Sequence, residues 1–203
     1  VGPSIAMGNN ISDEDTFENL LEDRLSREPI PHLGEKVEIL NFSVDGYTFP
    51  QQLEAIRMKV GAFEPDIVIV SDGERTRYST EFYLQRLVVR GVPVEDPELR
   101  EMMEEAGVLG AEVSDGVPVP WAWGRSLVGR GAGVPTRMPW AELTGRLNGF
   151  GERVASWAIG EIGREVRAMG ATPVFLGLSV VGPAPDTRIF TLDVARSEGF
   201  VVL

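Results

Sequence analysis

The chain has no cysteine, a single histidine, and lysine only at Lys36 and Lys59. Without cysteine it can have no disulfide, no thiolate nucleophile and no Cys-ligated metal. That absence leaves the compartment open, because a cysteine-free protein tolerates oxidising and reducing surroundings alike. His32 has no second histidine to share a metal with, and it reads as a solvated residue of a polar loop. No metal and no cofactor is expected. No apolar run approaches the roughly 18 residues that a membrane span needs. No basic stretch leads into an apolar one, so no secretory leader is visible and the cytoplasm is the expected compartment, with upstream residues left open by a start at Val1 rather than Met.

Positive charge is also scarce. Nineteen Lys and Arg face 31 Asp and Glu, for a net charge of −12. Nucleic-acid binding depends on cations that neutralise phosphates, so this balance argues against it. It argues equally against an anionic membrane surface. The acidity reads as colloidal solubility rather than as recruitment of a cationic partner. Composition is otherwise that of a soluble globular protein, at 43% hydrophobic and 25% charged, and 203 residues suit one well-filled core.

Along the chain, Val1–Gly8 is small and glycine-rich, as expected of a strand end and a turn. Asp13 and Asp15 are candidate N-caps. Phe17, Leu20, Leu21 and Leu25 have helical spacing and predict an amphipathic helix ending before Pro29. Val37 to Val44 reads as a strand, Asp45–Thr48 as a turn, and Pro50 as the first turn of a second helix. Leu53, Ile56, Val60 and Phe63 give that helix its buried stripe, and Pro65 ends it. Ile67–Val70 is an unbroken β-branched run, typical of a parallel strand covered on both faces.

From 91 to 149 the pattern is less regular. Asp96-Pro97 opens a short helix carrying Leu99, Met102 and Met103, with the methionines as packing. Trp121, Trp123 and Trp140 line either a cleft or a small satellite core. The segment reads as an insertion or lid within one domain. A helical face then runs through Val154, Trp157, Ala158, Ile162, Val166 and Met169, closed by Gly170. Pro173–Leu178 reads as a strand, Thr191–Arg196 as a short helix, and 199–203 as a last strand.

Strands alternating with helices imply a parallel sheet with helices on both faces. Ligands in such sheets lie at the carboxyl ends of the strands. Ser4, Gly46 and the loop from Ser71 to Arg75 all follow strands and should converge on one edge.

The order and spacing of several segments resemble the SGNH (GDSL-type) hydrolases. Gly2-Pro3-Ser4-Ile5-Ala6-Met7-Gly8 with Thr16-Phe17 and Leu20-Leu21 resembles the first block. Val37-x-Ile39-Leu40-Asn41-x-x-Val44-x-Gly46-Tyr47-Thr48 resembles the second, and Pro65–Val70 resembles the strand entering the third. The helix from Glu152 and the strand Pro173–Leu178 resemble the fourth strand unit. The resemblance implies a flavodoxin-like three-layer α/β/α fold with a parallel sheet (the SGNH hydrolase fold) and a helical or loop insertion after the third strand, over a single domain, 1–203, with 91–149 inserted. It implies a serine that attacks an ester carbonyl to form an acyl-enzyme. The oxyanion is then held by the serine N–H, a glycine N–H and an Asn side chain. By position Ser4 is the nucleophile, Gly46 the backbone donor, and Arg75 stands where the Asn belongs. The implied substrate is a small ester or an O-acylated sugar.

The chain departs from the family at three places. Pro3 replaces the Asp before the serine, Gly73-Glu74-Arg75-Thr76 replaces Gly-x-Asn-Asp, and no Asp-x-x-His block is present. Two accounts follow. In the first, residues beyond both ends complete the first strand and supply Asp-x-x-His after Leu203. In the second, the domain is a degenerate relative that binds a ligand or partner without hydrolysis. For Ser4 the plain alternative is a turn serine, for Gly46 a positive-φ turn residue, and for Arg75 a surface ion pair with Glu74 or Glu81. A phosphate loop at Gly2–Gly8 is a third reading, but it lacks the G-x-G-x-x-G and G-x-x-x-x-G-K-[ST] patterns.

Overall fold

The β-branched run at Ile67–Val70 becomes the first strand of a three-stranded parallel sheet. In a computed structural model the described residues are 1–8, 10–28, 30, 37–72, 76–113, 137–178 and 190–203. His32, Arg75, Trp121 and Trp123 lie outside them. The elements in chain order are α1 (Ser4–Met7), α2 (Phe17–Arg27), α3 (Phe49–Met58), β1 (Ile67–Asp72), α4 (Thr76–Arg90), α5 (Pro97–Glu105), β2 (Glu112–Val113), β3 (Arg137–Met138), α6 (Trp140–Leu147), α7 (Phe150–Ala168), β4 (Thr172–Gly177), α8 (Phe190–Ser197) and β5 (Val201–Val202). This is a mixed α/β chain whose small parallel sheet is compatible with an α/β/α layering.

The chain divides into two units, one of Val1–Glu74 with Ser156–Leu203 and one of Arg75–Ala155. In the first, the strand order is β1-β4-β5, all parallel. Ile67 pairs with Thr172 and Asp72 with Gly177, while Val174 pairs with Val201. The row continues past β1. The Val1 amino group donates to Ile69 O at 2.7 Å, and Ser71 N–H donates to Val1 O at 2.9 Å. Val44 N–H donates to Gly2 O at 3.1 Å. Val1 and Gly2 thus lie between 37–44 and β1, held by a single hydrogen bond on the 37–44 side, and neither is in a β-strand; the strand expected at Val37–Val44 is not formed, because only Val44 N–H bonds into the row.

Side chains alternate along β1, and burial follows the alternation. Val68 and Val70 are buried on one face, while Ile67 and Ile69 are exposed on the other. The expectation of a strand covered on both faces is therefore met on one face only. The covered face carries Phe175, whose ring stacks on Phe49 of α3 at 5.8 Å and meets Phe200 edge-on at 6.0 Å. Ile159, Ile162 and Val166 of α7 are fully buried with them. Gly163 permits that packing, because a Cβ there would fall 2.9 Å from the Phe200 ring. Arg57 of α3 bonds Glu165 at 2.7 Å and Glu161 at 3.0 Å, both on α7.

Two helical expectations change in detail. Phe63 is exposed rather than part of the α3 stripe. The α-helix ends at Met58, and a 3-10 turn over Val60–Phe63 advances each residue by a larger angle, which carries Phe63 off the buried side. Phe63 meets Phe42 edge-on instead, at 5.3 Å. In α2 the N-cap position is Thr16, with Asp13–Asp15 forming a 3-10 turn before it. None of the α2 residues is buried. The reason is polar: Glu18 accepts from Asn41 Nδ2 at 2.8 Å, and Glu22 accepts from Ile39 N–H. These bonds turn the carboxylate side of α2 toward 37–41 and leave Phe17, Leu20 and Leu21 outward.

In the second unit, Asp96 caps α5 by accepting from Glu98 N–H at 3.0 Å and Leu99 N–H at 3.2 Å. Leu99, Met102 and Met103 are buried, as their spacing predicts. β2 and β3 form a second parallel pair, and Arg146 of α6 donates to Gly107 O at 2.9 Å. The unit takes in 91–149 together with α4.

Candidate functional site

The carboxyl ends of five chain segments meet along one sheet edge. Val44 bonds Gly2, Ser71 bonds Val1, Leu178 N–H donates to Asp72 O at 2.9 Å, and Gly177 N–H donates to Leu203 O at 3.3 Å. Ser4 lies two residues beyond Gly2 and Gly46 two beyond Val44, so the hydrogen-bonded row brings both to this edge. Arg75, outside the described residues, is not located.

Ser4 is the first residue of α1, a single turn that ends at Gly8 with φ +75°. Glycine is needed at that left-handed position. A Cβ there would also fall 2.9 Å from Thr16 Cγ2 and 3.3 Å from Ile11 Cδ1, so the turn back from α1 is tight. Pro3 O accepts from Ala6 N–H at 3.0 Å and Met7 N–H at 3.1 Å, which fixes the turn behind Ser4. Ser4 is half-buried, and among the described residues its hydroxyl has no hydrogen-bond partner. Among the described residues the Ser4 N–H likewise has no backbone partner. Gly46 has φ +74° in an exposed turn, and its N–H makes no backbone bond. Two backbone donors and one hydroxyl are therefore available at the edge.

Sequence reasoning missed the polar layer beneath. Gly2 is buried, and a Cβ on it would overlap Ser71 Oγ and approach Ala6 Cβ to 2.9 Å. Ser71 and Asp72 are buried at the end of β1. Gln52 is 2% exposed; its Nε2 donates to Ser71 O at 3.3 Å, and among the described residues its Oε1 has no partner. A buried acceptor without a donor is costly. Asn41 Nδ2 donates to Ala6 O at 2.8 Å, tying α1 to 37–44. The one available clue was a polar residue on the helix face predicted to be buried, Gln52 beside Leu53 and Ile56. Burial pushes the Val1 amino group from its usual 8.0 down to about 6.

Among the described residues, no group of three or more His, Asp or Glu is placed to hold a metal. No helix among them is long and apolar enough to cross a membrane. Glu81 pairs with Arg77 at 3.4 Å and accepts from Gly149 N–H at 3.0 Å; the expected Arg75–Glu81 ion pair lies outside the described residues. No family model, curated protein or solved structure matches the chain.

Proposed function

We propose that this chain is an SGNH-type α/β domain in which Ser4 is the nucleophile of an acyl-ester hydrolase. The observation that carries the reading is the unengaged Ser4 hydroxyl on a one-turn helix, directly after a segment bonded into the sheet between 37–44 and β1. β1, β4 and β5 are parallel neighbours, and Val1–Gly2 and then Val44 are hydrogen-bonded in turn beyond β1, a succession in keeping with the 2-1-3-4-5 order of flavodoxin-like sheets, whose ligands sit at the carboxyl edge. Ser4 Oγ attacks the ester carbonyl, the Ser4 and Gly46 N–H groups take the oxyanion, and the alcohol departs to leave an acyl-serine that water cleaves. The substrate class is a small ester or an acylated sugar. Arg75 stands in sequence where a third oxyanion donor belongs.

A second reading keeps the fold and drops the hydrolysis. It is favoured by the sequence itself: His32 is the sole histidine, and it does not lie in an Asp-x-x-His pattern. Labelling with a fluorophosphonate, with the adduct mapped by mass spectrometry, separates the two. The hydrolase reading expects the adduct on Ser4, lost in Ser4→Ala. Absence of any Ser4 adduct favours the binding domain.

A further inference from the structure

The sequence contains one Asn-Gly step, Asn148-Gly149. An asparagine side chain and the backbone nitrogen that follows it can close a five-membered imide ring. Glycine hinders that closure least, because it has no Cβ. Asn148 ends α6, and Gly149 stands between it and the start of α7 at Phe150. Both residues are exposed to water. The step lies in the second unit and takes no part in the chemistry proposed at Ser4.

Two side chains of α4 hold this step. Gly149 N–H donates to Glu81 Oε1 at 3.0 Å, and Arg77 Nη2 donates to Asn148 Oδ1 at 3.3 Å. Arg77 and Glu81 pair with each other at 3.4 Å. Gly151 seats the loop against α4: a Cβ on it would fall 2.7 Å from Glu81 Cγ and overlap Arg77 O. A carboxylate on the attacking N–H and a cation on the side-chain carbonyl could serve as base and oxyanion donor. The backbone angle decides against that reading. In the closed ring the Gly149 nitrogen lies alongside Asn148 Cβ, and the hand of an L residue makes that a strongly negative ψ. Asn148 is held at ψ 124°. The nitrogen therefore points away from the side chain, and turning the peptide plane toward Asn148 Cγ breaks the bond to Glu81. Reaction requires the attacking geometry first, so the two bonds act as a clamp.

We propose that Asn148-Gly149 is a latent deamidation site, with water as co-reactant, which Glu81 and Arg77 keep shut and which reacts when their contact opens. In the open form the Gly149 nitrogen attacks Asn148 Cγ. The N–Cγ bond forms, the Cγ–Nδ2 bond breaks, the Gly149 amide proton passes to water, and Nδ2 takes a proton from water and leaves as ammonia. Water then splits the imide at either carbonyl, leaving aspartate or isoaspartate at this position. Either product sets a second carboxylate beside Glu81, where like charges oppose each other. The closed contact is then not restored, and each converted molecule keeps a permanent mark of having opened.

The test is the rate of conversion at Asn148 during incubation of the whole chain at mildly alkaline pH, in heavy-oxygen water. Trypsin cuts after Arg146 and Arg153, so residues 147–153 are recovered as one peptide for mass spectrometry. The folded chain should convert at least about tenfold more slowly than the chain unfolded in urea. Glu81→Asp, whose shorter side chain releases the Gly149 N–H, and Glu81→Ala should each convert about tenfold faster than the native chain. Hydrogen exchange at the Gly149 amide should quicken with them while amides of α5 stay protected, which separates local release from unfolding. Glu81→Gln keeps an acceptor and should stay as slow as the native chain. Loss of fold in one variant, seen by circular dichroism, leaves the others decisive, and the ratio of native to unfolded rates needs no variant. A native chain that converts as fast as the unfolded one overturns the proposal, as do folded Glu81→Asp and Glu81→Ala chains no faster than native. Conversion slower in Glu81→Gln than in the native chain also overturns it, because Glu81 then drives the reaction.

Discussion

At the scale of single residues, three positions carry the account. Gly2 has no room for a side chain, so Gly2→Ala should destabilise by about 1–3 kcal/mol in urea titration, and Ser71→Gly in the same chain should restore part of the loss by removing the hydroxyl that a Cβ would strike. Ser4 behaves in the opposite way. Its hydroxyl bonds nothing among the described residues, so Ser4→Ala should change stability by no more than about 0.5 kcal/mol. The Val1 amine adds a pH dependence. Its folded value of about 6 lies below the unfolded 8.0, so the unfolded chain binds more protons between them. Stability should therefore rise as pH climbs from 6 to 8 and be flat in this respect below 6. Thermal denaturation of the free-amine and acetylated chains across that window checks the sign, and an equal slope in the two contradicts it. Gly2 and Ser71 were not legible as a pair, because their contact joins residues that sequence separation hides. Gly8 and Gly46 were legible, since turns after strands call for glycine wherever φ is positive.

At the scale of elements, periodicity served where one polar or apolar partner decided burial. α5 followed from Asp96-Pro97 and its Leu99, Met102 and Met103 stripe. Its cap is two hydrogen bonds from one carboxylate, so Asp96→Ala should cost about 1 kcal/mol, read by denaturant titration. β4 and β5 followed from short apolar runs bounded by Gly170, Leu178 and Gly199. α2 is the instructive case. Its spacing gave the helix correctly but not which side turns inward, because Glu18 and Glu22 find Asn41 and the Ile39 N–H, and no local pattern encodes that choice. Phe63 was misplaced for a different reason: a change from α to 3-10 geometry shifts the angular phase within four residues.

At the scale of the molecule, the parallel sheet was legible from alternating elements, and its order became visible only through the hydrogen bonds of Val1, Gly2 and Val44. The core gathers on one sheet face around Phe175, and Phe175→Ala should cost about 3–5 kcal/mol in equilibrium unfolding, more than any surface change in the first unit. The site was legible in part. Ser4 and Gly46 follow Gly2 and Val44, whose hydrogen bonds run beyond β1, while Gln52, Ser71 and Asp72 came only with the tertiary structure. The central claim is that the edge at Ser4 performs acyl transfer. Hydrolysis of a short p-nitrophenyl ester by the purified chain and by Ser4→Ala tests it most directly. The account predicts turnover in the first and its loss in the second, with both equally folded; equal turnover in the two, or none in either, contradicts it.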